Sequence, residues 1–491
     1  MEDTTMPTSN TWQNVGSFPG YFHTAATLLA DGMRVLVTGG TRNPNSGGGC
    51  RQAWIFDGTN CAIAQISGVM TQPRFGHTAT TMTNGHVLIT GSEALDMTSH
   101  PYAITAELFD PSTGQFVPAA DMTEPRGWHT ATLLPSTGEV LIAGGEDPAA
   151  VNTGSSMPKK TAEIYNPQTG TFRKVKGQMA AGHSKHTATL LPNGKVLIAG
   201  GNGYCKTAEI YDPATDGFTT VGNLSIGRLN HGAALLPDGR VLVAGGYEYG
   251  GVSSPCEEVF NPSTNQFTPV PAIQKTVYGL TLSALPTGKV IAVGGCANNE
   301  HWQDLTIDYG YWIFDPNQNP PTFMQAGSCL MRIAFQSAIV LANGVVFVIG
   351  GASILGSVSG VCMIFWPDMV TLSLRFHGTG KGSVTCIPGG TLTYQTNYDI
   401  PIAAGLLVQL TAIPNAPYLT IGYKQIPATK FSPARWEKCI ISHKNTFDGW
   451  GQVAPLNNVN PLEKLMDSNH SADVNFSEYT TSASWRFPLK I

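Results

Sequence analysis

The chain has 491 residues, with 28 Lys+Arg against 33 Asp+Glu, a net charge of −5 and only 12% charged residues. It contains no basic run, and a nucleic-acid surface needs many phosphate-neutralising cations on one face, which excludes that class. Fifty-five glycines and 33 prolines put a turn former at about every sixth position, which leaves little room for long helices, while 42% hydrophobic residues supply ample core.

The first ten residues, MEDTTMPTSN, are polar and expected to be flexible; they hold no apolar h-region, so no standard signal peptide is read there. Thr11–Gly16 (TWQNVG) reads as a short strand with no hairpin partner beside it. One unit then recurs seven times. Its signature is an apolar run closed by a glycine pair: VLVTGG (Val35–Gly40), VLITGS (Val87–Ser92), VLIAGG (Val140–Gly145 and Val196–Gly201), VLVAGG (Val241–Gly246), VIAVGG (Val290–Gly295) and VFVIGG (Val346–Gly351). Successive runs end 45 to 56 residues apart, the period of a propeller blade and not of ankyrin, leucine-rich or tetratricopeptide arrays.

A strand and tight turn precede each run, as in HTATLLPNG (His186–Gly194). A third strand and an Asp/Asn-Pro turn follow it, and Phe116, Phe172, Phe218, Phe267 and Phe323 open a fourth strand. Each unit is therefore a four-stranded antiparallel meander, a-b-c-d. The seventh stops at its c strand, CMIFWP (Cys362–Pro367). Trp12–Val15 supplies the missing d strand, so the ring closes without a free edge. The expected fold is all-β: a seven-bladed propeller over 11–367 and a small β-rich C-terminal domain over 368–491.

The glycine pairs, the histidine upstream of them and the Ala-Glu-apolar-aromatic-Asp/Asn-Pro signature resemble the bacterial, galactose-oxidase-like branch of the kelch superfamily across about residues 11–367. His23, His77, His129, His186 and His231 read as equivalent positions at the start of strand a. A residue repeated blade after blade answers a need that every blade has, so a structural hydrogen bond is expected and not a metal shell. Glu107, Glu163, Glu209 and Glu258 with Arg74, Arg126 and Arg228 read likewise as blade-building ion pairs. The nine cysteines show no CxxC or zinc spacing and read as small buried hydrophobes, with Cys50 and Cys61 the nearest disulfide candidates. No metal and no cofactor is expected.

In such a meander the a–b and c–d turns share one face, and they are short here. The d–a and b–c connections share the other, and the b–c loops (roughly 41–52, 93–104, 146–160, 202–206, 247–255, 296–310 and 352–361) are long and unalike. Variation on one rim of a rigid scaffold is where binding is expected. The candidates are Trp128, His183, Asn230, Tyr278 and Arg332 on the d–a side, and Glu146, Asp147, Tyr204, Tyr247, Tyr249, Glu300, His301 and Trp302 on the b–c side. Aromatics mixed with amides and carboxylates suit a sugar or a peptide.

The resemblance also implies a copper chemistry built on a cysteine-crosslinked tyrosine, a tyrosine next to a histidine, and a further late histidine. This chain has no Tyr-His dipeptide, Tyr21-Phe22-His23 being the nearest approach, and no motif places the late histidine. No Ser/His/Asp set or HExxH motif is legible either. The expectation is therefore a non-catalytic recognition or structural protein of an extracellular, cell-surface or particle assembly, with a protein or glycan ligand on the loop-rich face and self-assembly left open. Two alternatives stand beside it: a carbohydrate-active oxidase or epimerase with a site in the central depression, and a phage-like or intracellular assembly component. No apolar stretch nears the roughly 18 residues a membrane span needs.

After residue 367, HGTGKGSVTCIP, AAGLLVQLTAIP, FDGWG and MDSNHSADVNFS together resemble the InlB B-repeat of bacterial surface proteins over about residues 371–476. Gly378, Gly380, Gly382, Ala404, Gly405, Leu410, Thr411, Ala412, Pro414, Phe447, Gly449, Trp450, Met466, Val474 and Phe476 carry that likeness. Residues 415–446 read as an insertion in it and the tail after 477 as extra.

Overall fold

The computed structural model describes residues 9–42, 49–92, 104–147, 158–202, 205–248, 257–273, 277–297, 306–307, 310–351 and 360–367, and beyond them strand backbones lying between 369 and 488. Seven four-stranded antiparallel sheets follow one another. In blade 1 the order is Ala25–Leu28 (a), Arg34–Thr38 (b), Ala53–Asp57 (c) and Ala62–Gln65 (d). The a strands of successive blades neighbour one another all the way round, blade 7 meeting blade 1.

Burial explains the pattern. The b strands are buried along almost their whole length, only Arg34 and Glu139 at two strand starts being half-buried, because both faces pack on adjacent blades; Val35, Leu36 and Val37 are fully buried. The c strands in blades 1 to 6 are largely buried and end on a half-buried Asp or Asn, and their inward aromatic meets the phenylalanine that opens the d strand, as in Phe109–Phe116 at 4.8 Å and Tyr211–Phe218 at 5.3 Å. The d strands face solvent. Between blades 7 and 1, Phe56 stacks on Phe347 at 3.9 Å.

Closure follows the expected route. Thr11–Ser17 pairs antiparallel with Val361–Trp366, Thr11 opposite Trp366 and Ser17 opposite Val361, with a bulge between Asn14 and Gly16. The extra residue at the bulge, Val15, is buried in the core shared by blades 1 and 7. Trp12 lies 5.0 Å from Phe365 and 5.6 Å from Tyr311.

Two expectations need correction. Cys50 and Cys61 are both free thiols, as are Cys205, Cys296, Cys329 and Cys362; the c strand Ala53–Asp57 holds Cys50 and Cys61 at its opposite ends. The second concerns the C-terminal strands. Met369–His377 pairs with Tyr398–Ala403 on one edge and with Tyr418–Gln425 on the other. Tyr418–Gln425 in turn pairs with Trp436–Ile440 and Ala472–Asn475. A second sheet runs Gly390–Thr393, Ser383–Ile387, Leu407–Ala412, Ala483–Pro488. The supposed insertion thus supplies an interior strand, and the supposed extra tail supplies an edge strand. The InlB B-repeat likeness accounts for neither, and nothing in the structure supports a separate module of that kind. Phe447, Trp450, Met466 and Phe476 lie outside the described residues.

Candidate functional site

At each d–a corner the chain must turn sharply into strand a, and it does so through one residue in the left-handed region. These are His23, Gly76, Trp128, Lys185, Asn230, Gly279 and Phe335, with φ of 54°, 60°, 56°, 54°, 52°, 70° and 60°. In six of the seven the N–H points at the carbonyl of the same position one blade earlier. Gly76 donates to His23 (3.4 Å), Trp128 to Gly76 (2.9 Å), Lys185 to Trp128 (3.0 Å), Asn230 to Lys185 (3.0 Å), Gly279 to Asn230 (3.0 Å) and Phe335 to Gly279 (2.7 Å). A side chain in this region costs about 1–2 kcal/mol relative to the right-handed one, least for Asn. Five of the seven corners carry one nevertheless.

This alignment corrects one reading. His23 belongs to the corner column, and its neighbour Thr24 is the equivalent of His77, His129, His186 and His231. Those four clamp adjacent blades. The Nε2 atoms of His77, His129, His186 and His231 lie 2.9 Å from the hydroxyls of Thr38, Thr90, Thr130 and Thr187, each on the preceding blade. In blade 7 the same position is Gln336, which donates to the Val293 carbonyl at 2.6 Å. Burial, reinforced by neighbouring cations and imidazoles, pushes His129 and His231 down to about 3 and His77 and His186 well below the usual histidine value. Burial and the Lys185 ammonium likewise lower His23 to about 3. All five are neutral at neutral pH.

Beneath the corners lie the ion pairs. Arg74 meets Glu107 at 2.8 Å, Arg126 meets Glu163 at 2.7 Å and Arg228 meets Glu258 at 3.2 Å, all buried. In blade 4 the arginine's place is taken by His183. Its Nδ1 lies 2.6 Å from the Gly200 carbonyl oxygen and its Nε2 3.1 Å from Glu209 Oε1. Desolvation opposes the charge, but Cys205, Glu209 and that carbonyl outweigh it and raise the imidazole to about 9. His183 is thus a buried framework cation standing in for arginine, not a rim residue.

The corner side chains open into one depression of about 260 Å³ on the axis, lined by His23, Trp128, Lys185, Asn230, Phe335 and the inner faces of the clamp residues. One wall is aromatic: His23 stands edge-on to Trp128 at 4.5 Å and lies 5.8 Å from Phe335. Trp128 covers Gly76 and Phe335 covers Gly279, and a Cβ at either glycine would meet the ring at 3.0 and 2.9 Å. Asn230 and Lys185 add polar side chains to the lining. The Lys185 ammonium lies 5.0 Å from the Trp128 ring and 3.5 Å from Glu146.

Of the residues expected on the rim, Trp128 and Asn230 line the depression. Backbone bridges Gly127–Glu146 and Leu229–Tyr247 draw Glu146 and Tyr247 beside the corners. Tyr278 backs Phe335 at 5.7 Å and Tyr247 at 5.4 Å. Asp147 approaches Lys159 at 3.9 Å, outside the depression, and Arg332 is not among the lining residues either. Tyr204, Tyr249, Glu300, His301 and Trp302 lie outside the described residues. Lys185, Phe335 and His23 as a corner residue went unread, although each sits immediately before the position that the repeat histidine marks.

Copper would require three or four imidazole, thiolate or oxygen donors converging on one point. Among the described residues no three His, Cys, Asp or Glu side chains do so. The clamp histidines have their Nε2 atoms committed to threonines and are spread over successive blades. The described residues therefore do not form a copper cage. Among them, too, no helix is long and apolar enough to cross a membrane.

No family model and no curated protein matches the chain. Among solved structures it resembles a fungal enzyme described as a novel alcohol oxidase with catalytic diversity among the AA5 family, in complex with copper. The two share 16% identity and a TM-score of 0.60 over 87% of this chain and 99% of that one. Since the propeller strands end at Trp366, a match of that extent reaches into the C-terminal sheets. This corrects the expectation of a non-catalytic protein: absent motifs were its only ground, and the same fold, nearly end to end, carries an oxidase. The likeness shows the fold, an all-β seven-bladed propeller.

Proposed function

We propose that the chain is a carbohydrate-active enzyme of oxidase or epimerase type, with its substrate in the axial depression. The observation that carries this reading is the mixed lining of the depression: a Trp128–His23–Phe335 aromatic surface together with the polar side chains of Asn230 and Lys185. A sugar ring has an apolar face of C–H groups and an edge of hydroxyls, and a site of this make-up meets both. Retention of side chains at left-handed corners supports a role at the axis, because glycine would fill those positions with less strain. His23, held neutral, offers a hydrogen-bonding nitrogen to a hydroxyl and no competing charge. An extracellular or cell-surface setting belongs to this proposal, and fractionation of native cells tests it.

The test of the activity is a panel of monosaccharides and simple alcohols assayed in two ways. Release of peroxide reports an oxidase; exchange of a ring C–H for deuterium, followed by NMR, reports an epimerase. Trp128→Ala is expected to lower kcat/KM about tenfold or more on any substrate found. Turnover that is indifferent to Trp128→Ala, or a panel without turnover, would reject the reading.

A further inference from the structure

We propose that Cys205 is a site of reversible modification, a nucleophilic sulfur beside the His183 ring that forms a mixed disulfide with a low-molecular-weight disulfide. The site lies in blade 4, where the repeat changes in two coordinated ways. In blades 2 and 3 the arginine fills this space: Nη2 of Arg74 and of Arg126 donates to the hydroxyl of Thr105 and of Thr161, each at 2.9 Å. Thr207 holds the same position in blade 4, immediately before the Ala-Glu pair that opens the c strand Ala208–Asp212. His183 is shorter than arginine and has two ring nitrogens to donate from. They go to the Gly200 carbonyl at 2.6 Å and to Glu209 at 3.1 Å, which leaves His183 no donor for Thr207.

Cysteine is the second change. The Thr207 hydroxyl and N–H donate to the Cys205 sulfur, which also lies 3.8 Å from His183 Nδ1. A hydroxyl, an amide N–H and a cationic ring thus converge on one sulfur, while Glu209 holds the ring through Nε2. Burial opposes a charge on the sulfur, but the hydrogen bond and positive charge of His183 and the hydrogen bonds from Thr207 outweigh it and lower the thiol below its ordinary value. His186, whose ring lies 5.7 Å from that of His183, is held neutral and adds no charge of its own.

Blade 1 supplies the contrast. Cys50 stands three residues before Ala53, as Cys205 stands three before Ala208. Its sulfur donates to Gln52 Oε1 at 2.6 Å, it is buried, and burial pushes its thiol up. Burial also pushes up Cys61 and raises Cys296 and Cys362 to about 12. Cys205 is half-buried, which leaves its sulfur within reach of a small reagent. In the step itself the Cys205 thiolate attacks one sulfur of the disulfide and a new S–S bond forms. The original S–S bond breaks with its electron pair, and the other half departs as a thiolate. Cys205 is oxidised, the departing half is reduced, and no proton need move. A thiolate of low pKa is also a good leaving group, so a small thiol reverses the step.

Alkylation by iodoacetamide and exchange with oxidised glutathione provide the test, both on the folded full chain and followed peptide by peptide by mass spectrometry. At about pH 6, Cys205 is expected to react with iodoacetamide about tenfold faster than Cys61, which is half-buried too and so controls for access. The pH midpoint of its alkylation rate should lie below the ordinary thiol value of roughly 8.5. Oxidised glutathione should add to Cys205 before Cys50, Cys61, Cys296, Cys329 or Cys362, and dithiothreitol should remove it. His183→Gln should slow alkylation at about pH 6 by about fivefold or more and raise the midpoint. The wild-type midpoint is a readout that needs no variant to fold. A Cys205 rate no greater than that of Cys61, a midpoint at or above roughly 8.5, or a glutathione adduct that forms first on another of these cysteines or on none overturns the proposal. So does a folded His183→Gln protein whose Cys205 reacts like that of the wild type.

Discussion

At His183 a repeat that elsewhere uses a permanent cation uses a titratable one, and the difference has a measurable consequence. Its folded pKa, about 9, lies above the ordinary histidine value of roughly 6.5. Its contribution to stability is thus fully present below about pH 6.5 and is lost as the pH rises through 9; a shift of this size corresponds to at most about 3 kcal/mol. The expected outcome is a urea midpoint that declines from pH 7 to 10 in the wild-type protein and stays level in His183→Arg, which restores the guanidinium of Arg74, Arg126 and Arg228. An equally steep decline in the variant would refute the framework role. The residue type misled here. A histidine on a loop-rich face invites a ligand reading, and only its burial and its contacts with Glu209 and Gly200 identify it as the arginine equivalent.

Among the elements, the glycine that follows each b strand shows why a sequence signature can be structural. Gly91 has φ of 68°, and a Cβ there would lie 2.2 Å from the Arg126 carbonyl and 2.6 Å from the His129 ring. Both belong to the next blade, so Gly91→Ala must push blades 2 and 3 apart, and a loss above about 3 kcal/mol is expected. Gly85, in an a–b turn with φ of 85°, has nothing within 4 Å of such a Cβ. Gly85→Ala should therefore cost only the backbone strain, about 1 kcal/mol. Denaturant titration of the pair distinguishes crowding from strain, and equal losses would contradict the assigned contact. The corner column is the opposite case. His, Gly, Trp, Lys, Asn, Gly and Phe share no side-chain chemistry, so their own residue types carry no repeat signal and only the position after them does. What they share is a positive φ and a place in the chain of corner-to-corner hydrogen bonds, and neither property is written in residue type.

For the whole molecule, stability depends on a strand from one end of the propeller completing the blade at the other. Removing residues 1–17 would uncover the edge of Val361–Trp366 and take Trp12 from Tyr311 and Phe365. Loss of one d strand with Trp12 and the buried Val15 should lower the melting temperature by several degrees and promote edge-to-edge association. Thermal melts with size-exclusion chromatography check this; a monomer with an unchanged melt would mean that the closure does not bear on stability. Blade number, strand order and this closure were legible from residue order, because a propeller repeats its local instructions at a nearly constant period. Apolar runs, Asn/Asp-Gly turns and glycine pairs act within one blade or on its neighbour, so counting them suffices. The C-terminal strands and the depression were not legible for the converse reason. Tyr418–Gln425 finds Met369–His377 across some forty residues with no period to announce it. Trp128, Lys185, Asn230, Phe335 and His23 come from five blades and meet only once the ring has closed. The amino-acid sequence by itself determined the scaffold through short-range, repeated interactions; the site arose from convergence on the axis, which only the tertiary structure decides.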